Sequence, residues 1–189
     1  MQNIIQNHIQ SHLDIARKFE AETPDIESAA RLIIGALQAG NKLLVAGNGG
    51  SVADAHHFAA ELVGRFKKER RALPAISLDA NPSAVTAISN DYAFEKVFAR
   101  QLEAFAKPGD VFFGISTSGN SANIIEAIKS AKAMGCKTIG LTGQTGGKMM
   151  EVCDFVINIP SEETPRVQEM HTLVIHTLSD LIEDAVSSL

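Results

Sequence analysis

Residues 111–121 read Val-Phe-Phe-Gly-Ile-Ser-Thr-Ser-Gly-Asn-Ser, an apolar run that passes directly into a hydroxyl-rich one. The apolar part, Val111–Ile115, is short and continuous rather than alternating, which is typical of a β-strand covered on both faces. Helical spacing begins at about residue 121, so the stretch predicts a strand, a loop and the start of a helix. Strands that alternate with helices in this way form parallel sheets with right-handed crossovers.

Four other apolar runs share this pattern and predict strands at Lys42–Gly47, Ala75–Leu78, Thr138–Thr142 and Phe155–Ile159. Apolar residues at helical spacing predict further helices at about 2–20, 24–39 (with Thr23 as its N-cap), 52–66, 83–105 and Thr164–Ser187. We therefore expect an α/β fold, a three-layer αβα sandwich around a central five-stranded parallel sheet, with an N-terminal helical pair and a long C-terminal helix. No linker or repeat divides the chain, so residues 1–189 are expected to form a single domain.

Composition narrows the functional classes. The 189 residues are 45% hydrophobic and 21% charged, which is typical of a globular protein. The net charge of −5 disfavours general nucleic-acid binding. No apolar run approaches the roughly 20 residues of a membrane span, and the N-terminus lacks the pattern of a signal peptide. A cytoplasmic protein without membrane or nucleic-acid partners is expected, with Cys136 and Cys153 as buried thiols.

Two polar loops are predicted at equivalent strand ends. Residues 47–51 read Gly-Asn-Gly-Gly-Ser and residues 116–121 read Ser-Thr-Ser-Gly-Asn-Ser, each directly before a helix. Glycines, hydroxyls and a helix N-terminus suit a phosphate group, although ordinary capped turns would read similarly. The spacings match neither a dinucleotide fingerprint nor a P-loop, which favours a phosphorylated small molecule. We interpret residues 89–92 as a third polar strand end, where Asn90 or Asp91 binds sugar hydroxyls or simply caps a helix at 93–105.

A metal-ligand spacing follows the first loop. His57 and Glu61 are four residues apart and share one helical face. Gln168 and His176 lie on the C-terminal helix, about 12 Å apart along its axis, so they can meet one ion only by leaning together or by coming from different subunits. We therefore expect the site at a subunit contact, with the apolar N-terminal helices forming the interface. Each pair taken separately also has a structural explanation. His57 and Glu61 would then form a solvated ion pair, and the histidines of the C-terminal helix would belong to the core.

At these residues the sequence closely resembles the phosphoheptose isomerases of the sugar isomerase (SIS) domain superfamily, over almost the whole chain. The motifs that carry the resemblance are Gly47-Asn48-Gly49-Gly50-Ser51, His57-Phe58-Ala59-Ala60-Glu61-Leu62, Asn90-Asp91, the run from Gly114 to Asn123, Leu141-Thr142-Gly143, and Gln168-Glu169-Met170-His171 with His176. The resemblance implies a homotetramer that converts sedoheptulose 7-phosphate into D-glycero-D-manno-heptose 7-phosphate, the first step toward the heptose of lipopolysaccharide or related glycans.

The resemblance also implies a set of site residues. One zinc ion per subunit would be held by His57, Glu61, Gln168 and His176. Contacts to the sugar-phosphate substrate carry over to Asn48, Gly49, Gly50, Glu61, Asn90, Asp91, Ser116, Thr117, Ser118, Ser121 and Gln168. Isomerisation through an enediolate needs a base and an acid, and these roles are assigned to Glu61 and His176.

Two readings without catalysis compete with the isomerase. Proteins that bind the bacterial replication initiator share this fold, and residues 73–76 and the spacing around Asn90-Asp91 resemble them as well. They look like isomerases in which the carboxylate and final histidine have been replaced. Glu61 and His176 are both present here, which favours the enzyme. A sugar-phosphate sensor is the third reading.

Overall fold

The computed structural model describes residues 1–22 and 26–187. Its helices and strands are α1 (Gln2–Glu22), α2 (Ile26–Gln38), β1 (Leu43–Ala46), α3 (Gly50–Val63), β2 (Ala75–Ser77), α4 (Pro82–Asp91), α5 (Val97–Phe105), β3 (Val111–Ser116), α6 (Ala122–Ala133), β4 (Lys137–Thr142), α7 (Met149–Val152), β5 (Phe155–Asn158) and α8 (Thr164–Ser187). The predicted Thr23 cap lies outside the described residues.

All five strands form one parallel sheet in the order β2-β1-β3-β4-β5. Val45 of β1 is paired with Ser77 of β2 on one side and with Phe113 of β3 on the other. The chain therefore adds β2 at one edge of β1 and then crosses to the other edge to add β3, so the strand order reverses at β1. Ligands of such sheets bind beyond the carboxyl ends of the strands, where the order reverses. In this molecule that place lies between the ends of β1 and β3.

The sheet is covered on both faces, which confirms the predicted three-layer αβα sandwich. Leu43, Val45 and Phe113 pack against the layer formed by α1, α2, α3 and α8. Leu44 and Phe112, the alternating neighbours, pack against α5, α6 and α7 on the opposite face. Because both faces are buried, the strands read as continuous apolar runs rather than alternating ones. The long C-terminal helix occupies the predicted range.

The helix predicted over residues 83–105 is wrong in detail. The chain leaves α4 after Asp91, adopts an extended conformation at Ala93 (φ −170°, ψ 156°), and makes a single 3₁₀ turn, Phe94–Lys96, before α5 begins. Asn90 and Asp91 therefore end a helix, so the interpretation of residues 89–92 as a strand end is wrong. The alternative, in which Asn90 or Asp91 caps a helix at 93–105, is wrong too, because the 3₁₀ turn has Ala93 as its N-cap and α5 has Lys96.

Two smaller differences concern the helix ends near the loops. The helix predicted at 52–66 begins earlier, at Gly50, and ends at Val63, where the Gly64 N–H donates to the Ala60 carbonyl. The short helix α7 was not predicted, since four residues give too little periodicity to recognise. Among the described residues, no helix is both long and apolar enough to cross a membrane.

Candidate active site

The two polar loops lie side by side at the carboxyl ends of β1 and β3, and an amide pair joins them. Asn48 Nδ2 donates to Asn123 Oδ1 and Asn123 Nδ2 donates back to Asn48 Oδ1, each at 2.8 Å. Asn123 is buried in the first turn of α6. The reciprocal pair therefore fixes the β1 loop relative to the helix that follows β3.

The β1 loop is held tightly by its backbone. A Cβ at Gly47 would collide with the backbone of Ser51, so this turn requires glycine. Gly49 has a positive φ of 57°. Asp79, just after β2, accepts the Gly47 N–H at 3.3 Å. Burial raises the pKa of Asp79 to about 6, although the Gly47 N–H works in the opposite direction.

The hydroxyl-rich loop is braced by a neighbouring turn. Ser121 is the N-cap of α6 but does not cap it with its side chain; its hydroxyl lies 2.8 Å from that of Ser116. Gly119 has a φ of 65°, and a Cβ there would collide with the Gly146 carbonyl oxygen. Asn120 Oδ1 accepts the Lys148 N–H at 3.1 Å. The loop therefore presents several hydroxyls on a preorganised backbone at a helix N-terminus, as an anion site requires.

A small cavity opens beside this loop. Its volume is about 210 Å³, and it is lined by Thr117, Ser118, Asn120, Gln144, Thr145, Ser161 and Glu162. Residues 144, 145 and 161–162 were not singled out from the sequence. They belong to the connections after β4 and β5, which reach the same edge of the sheet.

Helices α3 and α8 run in parallel and bring the two distant polar stretches together. Contacts advance along both helices in step, from Gly50 beside the Gln168 amide, to Asp54 accepting the Thr172 hydroxyl at 3.1 Å, to His57 beside His176. Asp54 is buried and was not identified from the sequence. Desolvation raises its pKa, opposed by Thr172 and His57.

Three candidate metal ligands converge at the next turn. His57 Nε2 lies 2.9 Å from Glu61 Oε1 and 3.3 Å from His176 Nε2. One ligand atom from each residue falls within 4.8 Å of the others. Zinc binds imidazole nitrogen at about 2.0–2.1 Å in a tetrahedron, which separates two ligand nitrogens by about 3.3 Å. The donor types and their spacing therefore fit a zinc ion.

Other predicted site residues lie at the β1 loop and at the end of α4. The Gln168 amide lies beside Gly50, next to the β1 loop, eight residues before His176 on the same helix. Asn90 and Asp91 are exposed at the end of α4, where the Asn90 amide donates to the Asp91 carboxylate at 2.8 Å. Whether these residues reach substrate stays a prediction.

Fold and sequence match together define a SIS-domain protein, since the SIS domain family model matches residues 7–143. The chain is 52% identical to the phosphoheptose isomerase of Helicobacter hepaticus, over 97% of this chain and 93% of that one. It is also 52% identical to the phosphoheptose isomerase of Aliarcobacter butzleri, over 97% of each.

Solved structures agree with these relatives. The phosphoheptose isomerase of Neisseria gonorrhoeae superposes with a TM-score of 0.91 at 41% identity, over 97% of this chain and 98% of that one. The Francisella tularensis phosphoheptose isomerase superposes with a TM-score of 0.93 at 34% identity, with the same coverage. The chain belongs to the phosphoheptose isomerase family.

Proposed function

We propose that this protein interconverts sedoheptulose 7-phosphate and D-glycero-D-manno-heptose 7-phosphate, at the start of the supply of heptose to lipopolysaccharide or related glycans. The observation that carries the proposal is the convergence of His57, Glu61 and His176 in a member of this family. A carboxylate and two imidazoles close together provide a base and an acid for proton transfer. The braced hydroxyl loop provides a place for the phosphate.

Glu61 acts as the base in this mechanism. Its carboxylate takes the proton from C1 of the ketose, leaving an enediolate that is reprotonated at C2 to give the aldose. His176 exchanges a proton with the sugar oxygens and also assists ring opening. The His57 imidazole, 2.9 Å from the Glu61 carboxylate, orients it toward the reacting carbon. Enediolate formation is favoured because charged and polar groups stand ready where negative charge develops.

Phosphate binding supplies the orientation of the reacting end. The hydroxyls of Ser116 and Ser121, already 2.8 Å apart, can turn toward a phosphate oxygen at the N-terminus of α6. Binding of this remote group positions C1 at Glu61 without itself taking part in the chemistry. The proposed substrate contacts are Asn48, Gly49, Gly50, Glu61, Asn90, Asp91, Ser116, Thr117, Ser118, Ser121 and Gln168.

One zinc ion per subunit is proposed, with His57, Glu61, Gln168 and His176 as ligands. When bound, the ion would supply Lewis-acid stabilisation of the developing oxyanion. The separation of Gln168 from His176 along α8 means that its amide must swing toward the cluster or come from another subunit. The completion of the zinc site by Gln168 therefore depends on how the subunits assemble.

A homotetramer with active sites at subunit contacts is proposed from the position of Gln168 and from the exposed surface of α1. Helix α1 carries an apolar stripe that is open to solvent in the single chain, with exposed fractions of 62% for Ile4, 60% for Ile5 and 57% for Ile9. Such a contiguous apolar surface favours association. Partners are accordingly copies of the chain and the sugar phosphate, in the cytoplasm, without nucleic acid or membrane.

Incubation of the purified protein with sedoheptulose 7-phosphate, followed by NMR, tests the proposal directly, and formation of the aldose is expected. Absence of turnover in zinc-supplemented protein would overturn it. Ser116→Ala should raise KM by about tenfold to a hundredfold, since a hydrogen bond to a charged group is worth about 1.5–3 kcal/mol. The exposed Ser83, at the start of α4, offers a matched Ser→Ala control. The replication-initiator-binding alternative gains no support from the relatives reported above.

A further inference from the structure

A buried ion pair lies at the C-terminal end of α3, the helix that carries His57 and Glu61, and the mechanism above does not use it. Arg70 Nε lies 3.3 Å from Glu183 Oε1, and the two side chains are only 2% and 1% exposed. A buried pair of charges is costly to desolvate and contributes little to stability on balance. Its position beside the catalytic residues calls for another explanation.

Arg70 donates hydrogen bonds to the backbone carbonyls at the C-terminus of α3. Its Nη2 donates to the Glu61 carbonyl at 2.7 Å, and its Nη1 donates to the Leu62 carbonyl at 2.8 Å and the Gly64 carbonyl at 3.0 Å. The last carbonyls of a helix lack partners within the helix and carry partial negative charge. A single guanidinium thus fixes the backbone of the residue that provides the proposed base.

Glu183 holds the loop that follows α3. Its carboxylate accepts three consecutive backbone N–H groups, from Phe66 at 3.0 Å and from Lys67 and Lys68 at 2.7 Å each. Burial raises the pKa of Glu183, but the three N–H donors and Arg70 outweigh this and hold the pKa below its ordinary value. The carboxylate is therefore charged, and it locks the loop in one conformation.

The locked loop also reaches the second catalytic residue. The Phe66 ring lies 5.5 Å from the His176 ring, centroid to centroid, at an interplanar angle of 33°. Glu183 follows His176 by seven residues, two turns along the same face of α8. The ion pair therefore touches the backbone of Glu61 directly and supports the ring of His176 through Phe66.

We propose that Arg70 and Glu183 are positioning residues that set the separation of the base on α3 and the acid on α8. The inference rests on the proposed function, because the roles of Glu61 and His176 come from it. Outer-shell groups of this kind typically cost about 10–100-fold in activity or metal affinity when removed. The loss falls on kcat because the phosphate loop belongs to β3 and α6, away from this pair.

Arg70→Lys and Glu183→Gln test the pair, with Lys68→Met and Asp184→Asn as matched controls. The side chains of Lys68 and Asp184 form an ion pair between the same loop and the same helix, but they are 52% and 62% exposed. We expect kcat to fall about tenfold or more in the first two variants, with KM within about threefold of wild type. The two controls should keep wild-type kcat and KM.

A second readout separates positioning from general destabilisation. Ring ¹H–¹⁵N correlations of His57 and His176, recorded on metal-free protein below the unfolding temperature, should shift in Arg70→Lys and Glu183→Gln but not in the controls. Phe66→Leu leaves the ion pair intact and should reproduce the His176 shift with a smaller loss of kcat, so it serves if Glu183→Gln fails to fold. Wild-type kcat and unchanged histidine resonances in folded Arg70→Lys and Phe66→Leu would overturn the proposal. An inactive wild-type enzyme would instead refute the proposed function.

Discussion

Replacement of His171 by leucine should make the protein more acid-resistant. His171 is completely buried on α8, its Nε2 lies 3.2 Å from the Thr142 carbonyl, and its Nδ1 has no partner among the described residues. Burial lowers its pKa from 6.5 to about 4, against a weaker upward effect of the Thr142 carbonyl. The imidazole is therefore neutral in the folded protein at pH 7.

The size of the effect follows from the two pKa values. The unfolded chain takes up a proton near pH 6.5 while the folded protein resists until about pH 4, so stability is complete above pH 6.5 and is lost as the pH falls through that interval. With these values, lowering the pH from 7 to 5 costs wild type about 2 kcal/mol through this residue alone. His171→Leu avoids that loss.

The variant is tolerable at neutral pH because the Thr142 carbonyl keeps its ladder hydrogen bond from the Ile159 N–H at 2.9 Å. The assay is urea unfolding of wild type and His171→Leu at pH 7 and pH 5, in chelator and at one protein concentration, since assembly shifts apparent stability. Relative to wild type, the variant should gain about 2 kcal/mol between the two pH values. A difference that does not change with pH would show that His171 is not held neutral by burial.

Three other predictions concern the loops and the metal. Gly119→Ala should raise KM by about tenfold or more, because the left-handed φ costs about 1–2 kcal/mol and the methyl group would displace the Gly146 carbonyl. Gly35→Ala, at an open position in a helix, is the control, and an unchanged KM in Gly119→Ala would contradict the prediction. Asp79→Asn should stabilise the protein by about 1 kcal/mol at pH 8, after allowance for partial exposure and screening, and by almost nothing at a pH well below 3.8. Burial raises the pKa of Asp79 from 3.8 to about 6, so the wild type loses stability as the pH rises through that interval, and the neutral Asn does not. Urea unfolding checks this, and a difference that does not change with pH would refute it. Treatment with EDTA should abolish turnover and zinc should restore it, as a coupled product assay would show; full activity in metal-free protein would exclude the zinc set.

The sheet could be predicted from the sequence because burial on both faces leaves a simple signal. Each strand is a continuous apolar run, and both polar loops follow such runs directly. The break between α4 and α5 was missed since residues 83–105 contain neither Gly nor Pro and keep a helical apolar spacing. The pair Asn90-Asp91, poor helix formers in the middle of the predicted helix, was the available signal.

The candidate site could be predicted only in part. His57 and Glu61 share a helical face by spacing alone, but their meeting with His176 depends on the parallel alignment of α3 and α8, which no local pattern encodes. Arg70 and Glu183 read as ordinary charges in a loop and on an amphipathic helix. Only the packed structure shows that both are buried and that one of them holds the Glu61 carbonyl.

The most direct measurement follows deuterium from solvent into product. Wild-type protein and Glu61→Gln are incubated with sedoheptulose 7-phosphate in D₂O, with Glu69→Gln, an exposed carboxylate eight residues later, as control. Proton transfer through an enediolate by Glu61 predicts deuterium at C2 of the aldose for wild type and Glu69→Gln, and a rate lowered by about 10²-fold or more in Glu61→Gln. Product formed by Glu61→Gln at the wild-type rate would contradict the mechanism.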